Sequence, residues 1–289
     1  MTDINNYIRA TSTIEAMRTF ENAESPIRFL AGGTDLLLKL NAVEEPPITL
    51  VDISAIEEIC GIQQKEGGLY IGAATRLSDI VNSDMFIGAL QIVAEGARRI
   101  GSPQIRNLAT IGGNLCNAAP SADTAAPLLV LEATAEIIVS GGKRSIPLSE
   151  FFTGPGQTVL ELGELLAGLW IPTPPAGAAS IYIKQSPRQA MDLAVAGISI
   201  LMARTKEALD VRVALAAVSP TPIRVPEAEK LIMQSDAPGE EVILAAARLA
   251  AEAARPINDV RASVAYRLEM VETLTARALR AVYQKLEQS

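Results

Sequence analysis

The segment Pro172-Thr173-Pro174-Pro175-Ala176-Gly177 constrains the fold of this chain more than any other stretch. Proline lacks a backbone donor and has a fixed φ, so three prolines beside a glycine fit neither a helix interior nor a central strand. This segment is therefore the best candidate for a linker between two folding units. The 289 residues are enough for two domains, at roughly 100–200 residues each, and we place them at 1–175 and 176–289. Hydrophobic residues make up 49% of the chain. That supply is ample for a buried core in each unit and excludes disorder and small stapled scaffolds.

Before the break, short strands alternate with helices. Ser12 and Glu15 have capping-box spacing, and Ile14, Met17 and Phe20 recur at helical spacing, which predicts a helix from Ser12. Ile27–Leu30 reads as a strand, Ala31–Asp35 breaks it, and the apolar run Leu36–Leu40 comes next. β-Branched Ile48–Ile53, after Pro46-Pro47, predicts another strand. Strands at Ile59–Gln63 and Leu69–Ile71 flank a Gly67-Gly68 turn, and Thr75–Asp79 and Ile87–Arg99 read as helical. Ala125–Leu131 is apolar enough to be fully buried, and Ala135–Val139 with Arg144–Ile146 reads as a hairpin around Gly141-Gly142.

After the break, Ile181–Gln185, Ala194–Ala203 and Val211–Val218 predict three strands of a small antiparallel sheet. Helices come next at Ala228–Ile232 and Glu240–Ala254, and a last one starts near Asn258-Asp259. The last carries Val264, Leu268, Val271, Leu274, Ala278, Val282 and Leu286 on one face. The fold class is α+β.

Composition narrows the chemistry. There is no histidine, so Ser–His–Asp and Cys–His pairs, histidine-ligated metal sites and a histidine general base are all excluded. Cys60 and Cys116 are far apart, so the chain alone cannot hold a four-cysteine zinc or iron–sulfur site. A disulfide between them is open on parity, while two lone cysteines more often mark a reduced, intracellular chain. Lys plus Arg is 25 against 33 for Asp plus Glu, a net charge of −8 with a pI near 4.8. Such a chain repels phosphate backbones, so no nucleic-acid role is expected. The start, Met-Thr-Asp-Ile-Asn-Asn-Tyr, has no basic region followed by an apolar one, and no apolar stretch approaches the roughly 20 residues of a membrane span. The expected location is the cytoplasm, and redox or group-transfer chemistry would need a borrowed cofactor.

Two segments could hold one. Ala31-Gly32-Gly33-Thr34-Asp35 and Thr110-Ile111-Gly112-Gly113-Asn114 each place a glycine pair after an apolar run and beside small polar side chains. Successive N–H groups without Cβ atoms can converge into a donor nest for pyrophosphate oxygens. For either pair alone, a plain turn is the commoner outcome. Neither is a G-x-G-x-x-G fingerprint or a Walker A loop. After the second motif, Leu115-Cys116-Asn117-Ala118-Ala119-Pro120-Ser121-Ala122-Asp123 is a small-residue loop ending in a carboxylate, which either accepts from a ligand hydroxyl or caps the run at Thr124.

On these residues the chain resembles the FAD-binding (medium) subunit of the molybdenum hydroxylase family, of the xanthine dehydrogenase and aerobic carbon monoxide dehydrogenase type. The resemblance is carried by Ala31–Leu36, Leu50–Ser54, Ile71–Ala73, Thr75–Asp79 and Ser102-Pro103-Gln104-Ile105-Arg106-Asn107 through Asp123. Further on, it is carried by Tyr182–Gln185 with Arg188 and Asp192, Val218–Arg224, Val260–Ser263 and Tyr266-Arg267. It runs in order from about residue 5 to the last helix.

The resemblance implies a PCMH-type FAD-binding domain of two α/β subdomains, then a small domain with a three-stranded antiparallel sheet packed on helices. FAD would lie between the subdomains. Arg28, Phe29, Leu30, Ala31, Gly32, Gly33, Thr34, Asp35 and Leu36, with Thr110, Ile111, Gly112, Gly113 and Asn114, would hold its pyrophosphate and adenosine side. Cys116 lies within this cofactor region, Asp123 would contact the ribityl chain, Leu166 would pack on the flavin ring and Lys184 would approach its polar edge. From the residues alone, Leu166 reads as core, Lys184 as a surface lysine, Cys116 as a small buried hydrophobe, and Arg188 with Asp192 as an ion pair.

The implied partners are a large molybdopterin subunit that oxidises the substrate and a small subunit with two [2Fe–2S] clusters, in a dimer of heterotrimers. Electrons would leave through FAD to NAD⁺ or a quinone. No catalytic residue and no metal site is expected in this chain, and the two distant cysteines rule out the extra cluster that some relatives carry here. Met191 departs from the acidic residue of eukaryotic xanthine dehydrogenases, so NAD specificity does not carry over from them. Two alternatives are a stand-alone flavin oxidoreductase on the same fold, with Tyr182 or Lys184 as the only base at hand, and an assembly protein that has lost its flavin.

Overall fold

The computed structural model describes residues 2–23, 25–188, 191–206, 208–235 and 237–288. The chain opens with β1 (Ile4–Arg9), α1 (Thr13–Glu21), β2 (Ile27–Leu30), α2 (Leu36–Ala42) and β3 (Ile48–Asp52). The three strands form a parallel sheet in the order β1-β3-β2. The predicted cap is in place: Ser12 Oγ accepts from the Glu15 N–H at 3.2 Å, and the Glu15 carboxylate accepts from the Thr11 N–H at 2.7 Å. The sequence pattern does not reveal β1, because it is an edge strand with mostly exposed residues on both faces, which leaves no alternation to read.

Next come β4 (Ile62–Lys65), β5 (Gly68–Gly72), α3 (Leu77–Val81), α4 (Gln91–Arg98), α5 (Pro103–Arg106), α6 (Ile111–Cys116) and α7 (Ala125–Val130). They are followed by β6 (Thr134–Val139), β7 (Gly142–Pro147), the small hairpin β8 (Phe152–Gly154) and β9 (Gln157–Thr158), and β10 (Leu165–Pro172). Five of these strands make an antiparallel sheet in the order β4-β5-β10-β6-β7. The strand expected at Ile59–Gln63 begins later. Glu57–Ile59 forms one 3₁₀ turn that buries Ile59, and the backbone extends only from Ile62. Every residue of α7 is buried, in keeping with its unbroken apolar sequence.

The segment after β10 leads into β11 (Ala179–Gln185), β12 (Ala196–Arg204), β13 (Leu209–Ala216) and β14 (Ile223–Arg224), antiparallel in chain order. The two-residue β14 makes the sheet four-stranded where three strands were expected. Helices α8 (Pro226–Met233), α9 (Glu240–Ala253) and α10 (Val264–Glu287) complete the chain. α10 starts at Val264, later than the expected Asn258-Asp259, because polar side chains hold a turn ahead of it. Asn258 Oδ1 accepts from the Val264 N–H at 2.7 Å, Asp259 Oδ1 from Arg261 and Ala262 at 2.9 and 3.1 Å, and Ser263 Oγ caps Tyr266 at 3.2 Å.

Strands β12 and β13 bury both faces, which is why they read as continuous apolar runs rather than alternating ones. Ile198, Ile200, Val211, Val213 and Leu215 pack with Ala246, Leu274 and Val282 of the helices, while Leu201, Ala214 and Ala216 join the core that contains α7. Arg212 donates to the Val130 carbonyl at 3.4 Å, and Arg224 donates at 3.2 Å to the Leu129 carbonyl, which also accepts from the Glu132 N–H at 3.1 Å. Arg188 and Asp192, expected to pair, form no ion pair among the described residues; Asp192 Oδ1 instead accepts from the Leu193 N–H at 2.9 Å. Among the described residues, no helix is long and apolar enough to cross a membrane.

Candidate functional site

Parallel sheets present a crevice at the carboxyl ends of their strands. Here, Ala31 to Asp35 come directly after the end of β2, and Ile53 after the end of β3. Together they form one wall of a cleft of about 530 Å³. The other wall comes from Ala73 and Ala74 after β5, from Ile100, Gly101 and Ile105, from α6 with its cap, and from Leu160 and Glu164 to Leu166 leading into β10.

The two glycine motifs meet across this cleft. Gly32 packs so closely on the Leu108 carbonyl that a Cβ would lie 2.0 Å from its oxygen, and Gly33 takes φ +71° to turn the chain into α2. The N–H groups of Gly32, Gly33, Thr34 and Asp35 have no hydrogen-bond partner among the described residues, and Asp35 does not cap α2 with its side chain. This loop therefore offers a run of free donors to the cleft.

The second motif departs from the expected nest. Ile111 N–H donates to Thr75 O at 3.0 Å and Gly112 N–H to Ala73 O at 2.8 Å. Gly113 N–H donates to the Thr110 side chain at 3.0 Å and Asn114 N–H to Thr110 O at 3.0 Å. Two of those donors fasten α6 to the segment after β5, and the other two are consumed by its own cap. The physical reason is local: Thr110 is a good N-cap, and the residues after it continue as a helix rather than an open loop. Asn114 Oδ1 accepts from the Thr124 hydroxyl at 2.6 Å, which leaves its amide N–H groups for the cleft.

Of the residues implicated by sequence, Phe29, Ala31, Gly32, Gly33, Thr34, Asp35, Leu36, Thr110, Gly112, Gly113, Asn114, Cys116 and Leu166 line the cleft. Burial pushes the Cys116 thiol up to about 12, so it stays protonated at neutral pH. Five residues are elsewhere. Strand alternation points Phe29 and Ala31 to the cleft, so Arg28 and Leu30 face away. Arg28 bonds the Ile27 carbonyl at 2.9 Å, and Leu30 packs with Leu40, Ile48 and Leu50. Ile111 is fully buried core.

Asp123 and Lys184 also lie off the cleft wall. They pair with each other at 2.7 Å, both side chains nearly fully buried, where β11 meets the loop before α7. Tyr182 donates to the same carboxylate at 2.6 Å, and Lys184 Nζ also bonds the Arg99 carbonyl at 3.2 Å. Burial pushes the Asp123 carboxyl up against the opposing pull of Lys184, and burial and the Asp123 charge hold the Tyr182 phenol well above its usual range. Asp123 does not cap α7; Thr124 occupies that position.

Lys39 and Asn117, which the sequence motifs do not include, bond through their side chains at 2.5 Å and line the cleft. Both had a signal: Lys39 comes at i+4 from Asp35 once Leu36–Leu40 is read as a helix, and Asn117 at i+3 from Asn114. Glu164, also lining the cleft, is held by Arg144 at 2.7 and 3.1 Å.

Residues 2–174 match the family model for the FAD binding domain in molybdopterin dehydrogenase, and residues 181–282 that for the CO dehydrogenase flavoprotein C-terminal domain. The chain belongs to the FAD-binding subunits of the molybdenum hydroxylase family. It is 33% identical to the xanthine dehydrogenase FAD-binding subunit of Escherichia coli O157:H7, covering 96% of each chain. It is 32% identical to the glyceraldehyde dehydrogenase medium chain of Sulfolobus acidocaldarius, covering 96% of this chain and 98% of the relative. Among solved structures, a carbon monoxide dehydrogenase from Hydrogenophaga pseudoflava matches with a TM-score of 0.93 at 30% identity, covering 99% of both chains. As a family member, the chain takes FAD. The cleft suits that group: its walls are largely apolar, its volume lies within the roughly 300–1,000 Å³ of cofactor pockets, and its free backbone donors suit a diphosphate.

Proposed function

We propose that this FAD subunit carries electrons within a heteromeric molybdopterin-dependent dehydrogenase, with residues 1–175 holding the flavin and 176–289 closing over its edge. The observation that carries this reading is the run of N–H donors from Gly32 to Asp35, unpartnered among the described residues, in a loop that lines one cleft together with the motif at Thr110–Asn114. Bound FAD supplies the ability to accept electrons singly and release them in pairs. The chain's own residues bind and orient it. The first loop hydrogen-bonds its polar middle, Leu166, Ile53 and Ala74 exclude water from its apolar parts, and the Asp123–Lys184 pair fixes the neighbouring region at the site's edge.

The partners are a large molybdopterin subunit and a small subunit with two [2Fe–2S] clusters, and the terminal acceptor is NAD⁺ or a quinone in the cytoplasm. A stand-alone oxidoreductase is disfavoured by the site itself. Tyr182 and Lys184, the bases the sequence reading offered, are both tied to Asp123, and the phenol keeps its proton far above neutral pH.

The test is to purify the full chain, record its visible spectrum, identify the released cofactor by chromatography and add NADH without oxygen. Bound FAD that NADH bleaches supports NAD⁺ as acceptor. Bound FAD that stays oxidised points to a quinone or to a site completed by the partners. A chain that cannot be reconstituted with FAD removes the proposal.

A further inference from the structure

Lys39 is the only cation among the described residues that line the cleft. The other charged lining groups are Asp35 and Glu164, and Glu164 is already neutralised by Arg144. Among the described residues, Lys39 has no carboxylate partner. Its one hydrogen bond there runs across the cleft to the neutral side chain of Asn117, 78 residues away. Among the described residues this is also the only hydrogen bond that joins α2 to the α6 segment, so it bridges the two walls that carry the glycine motifs.

A lysine has three donors, and on this exposed side chain a single amide oxygen leaves two of them to water and no carboxylate against its charge among the described residues. The cleft offers no second positive charge among the described residues, while the groups of FAD that carry full negative charge at neutral pH lie in its diphosphate. Charge-assisted hydrogen bonds are about twice as strong as neutral ones, so an anion entering the cleft would displace or share the Asn117 contact.

We infer that Lys39 is the charge partner of the FAD diphosphate and makes this cleft select a dinucleotide over an uncharged flavin, with Asn117 holding the lysine in place until the anion arrives. The inference rests on the FAD reading and deepens it. Lys39 binds and positions, and takes no part in electron transfer.

The test uses the full, cofactor-stripped chain, titrated with FAD and with riboflavin by flavin fluorescence at low and high salt. The wild type binds FAD more tightly than riboflavin, by a margin that shrinks as salt screens the contact. Lys39→Met lowers FAD affinity by about tenfold or more, leaves riboflavin affinity within about twofold, and flattens the salt dependence. Lys39→Arg restores most of the FAD affinity. Equal losses for both flavins in Lys39→Met would show a purely structural role for the lysine, and an unchanged FAD affinity would show that the diphosphate lies elsewhere; either overturns the inference while the FAD reading stands. A wild-type chain that takes up neither flavin overturns the FAD reading itself, and this inference with it.

Discussion

The two glycine motifs look alike as letters and do different work. In the first, Gly32 to Asp35 line the cleft with N–H groups that have no partner among the described residues, and Gly33 holds a backbone turn that L-residues seldom adopt. In the second, the same kind of pair sits inside α6 with its donors spent on Ala73, Thr75 and Thr110, and Gly112 is there because Ala73 comes too close for a side chain. One motif leaves its backbone donors unused; the other spends them building the opposite wall. A glycine pair marks a close approach, and only the hydrogen-bond accounting says whether the approaching group is ligand or protein.

The sharpest challenge to this contrast lies just beyond the second motif. Asp123→Ala leaves Lys184 buried without a counter-ion and is expected to cost about 3–5 kcal/mol. Urea unfolding of the cofactor-free chain measures it, and a loss below about 1 kcal/mol would mean that this seam is not an anchor. Gly112→Val comes next. Its Cβ would sit 2.6 Å from the Ala73 Cβ and 2.7 Å from the Ala73 carbonyl oxygen, so the cofactor-free chain should lose about 3 kcal/mol.

Gly33→Val should lose less stability, about 1–2 kcal/mol for a β-branched residue at φ +71°, yet release FAD completely on gel filtration. If Gly112→Val proves mild in stability while Gly33→Val keeps its flavin, the assignment of the two motifs is reversed. The smallest effect belongs to Tyr182→Phe, at about 1 kcal/mol near neutral pH. Its folded-state phenol pKa is raised by burial, so the stability it contributes is full below the unfolded value near pH 10 and is lost as pH rises beyond it. Melting curves from about pH 8 to 11 should fall less steeply in the variant than in the wild type.

Much of the fold was legible. The helix at Ser12, the hairpin at Gly141-Gly142 and the three long strands after the proline-rich break all appear where pattern and turn chemistry put them. β1 escaped because an exposed edge strand has no apolar rhythm, and α6 because its two glycines argue against a helix that Thr110 nevertheless caps. In the site, thirteen of the eighteen residues implicated by sequence line the cleft. Arg28 and Leu30 fall outside it because the motif is contiguous in sequence whereas a strand alternates its faces. Lys39 and Asn117 escaped because their meeting spans 78 positions.

By itself, then, the sequence determined the exclusion of histidine chemistry and the family to which the two motifs belong. Each is a property of composition or of neighbouring residues. Tertiary structure decided which glycine donors stay free, that Asp123 meets Tyr182 and Lys184 rather than capping α7, and that one lysine reaches across the cleft. These depend on which distant backbone and side-chain groups compete for the same hydrogen bonds, and that competition exists only once the chain has closed on itself.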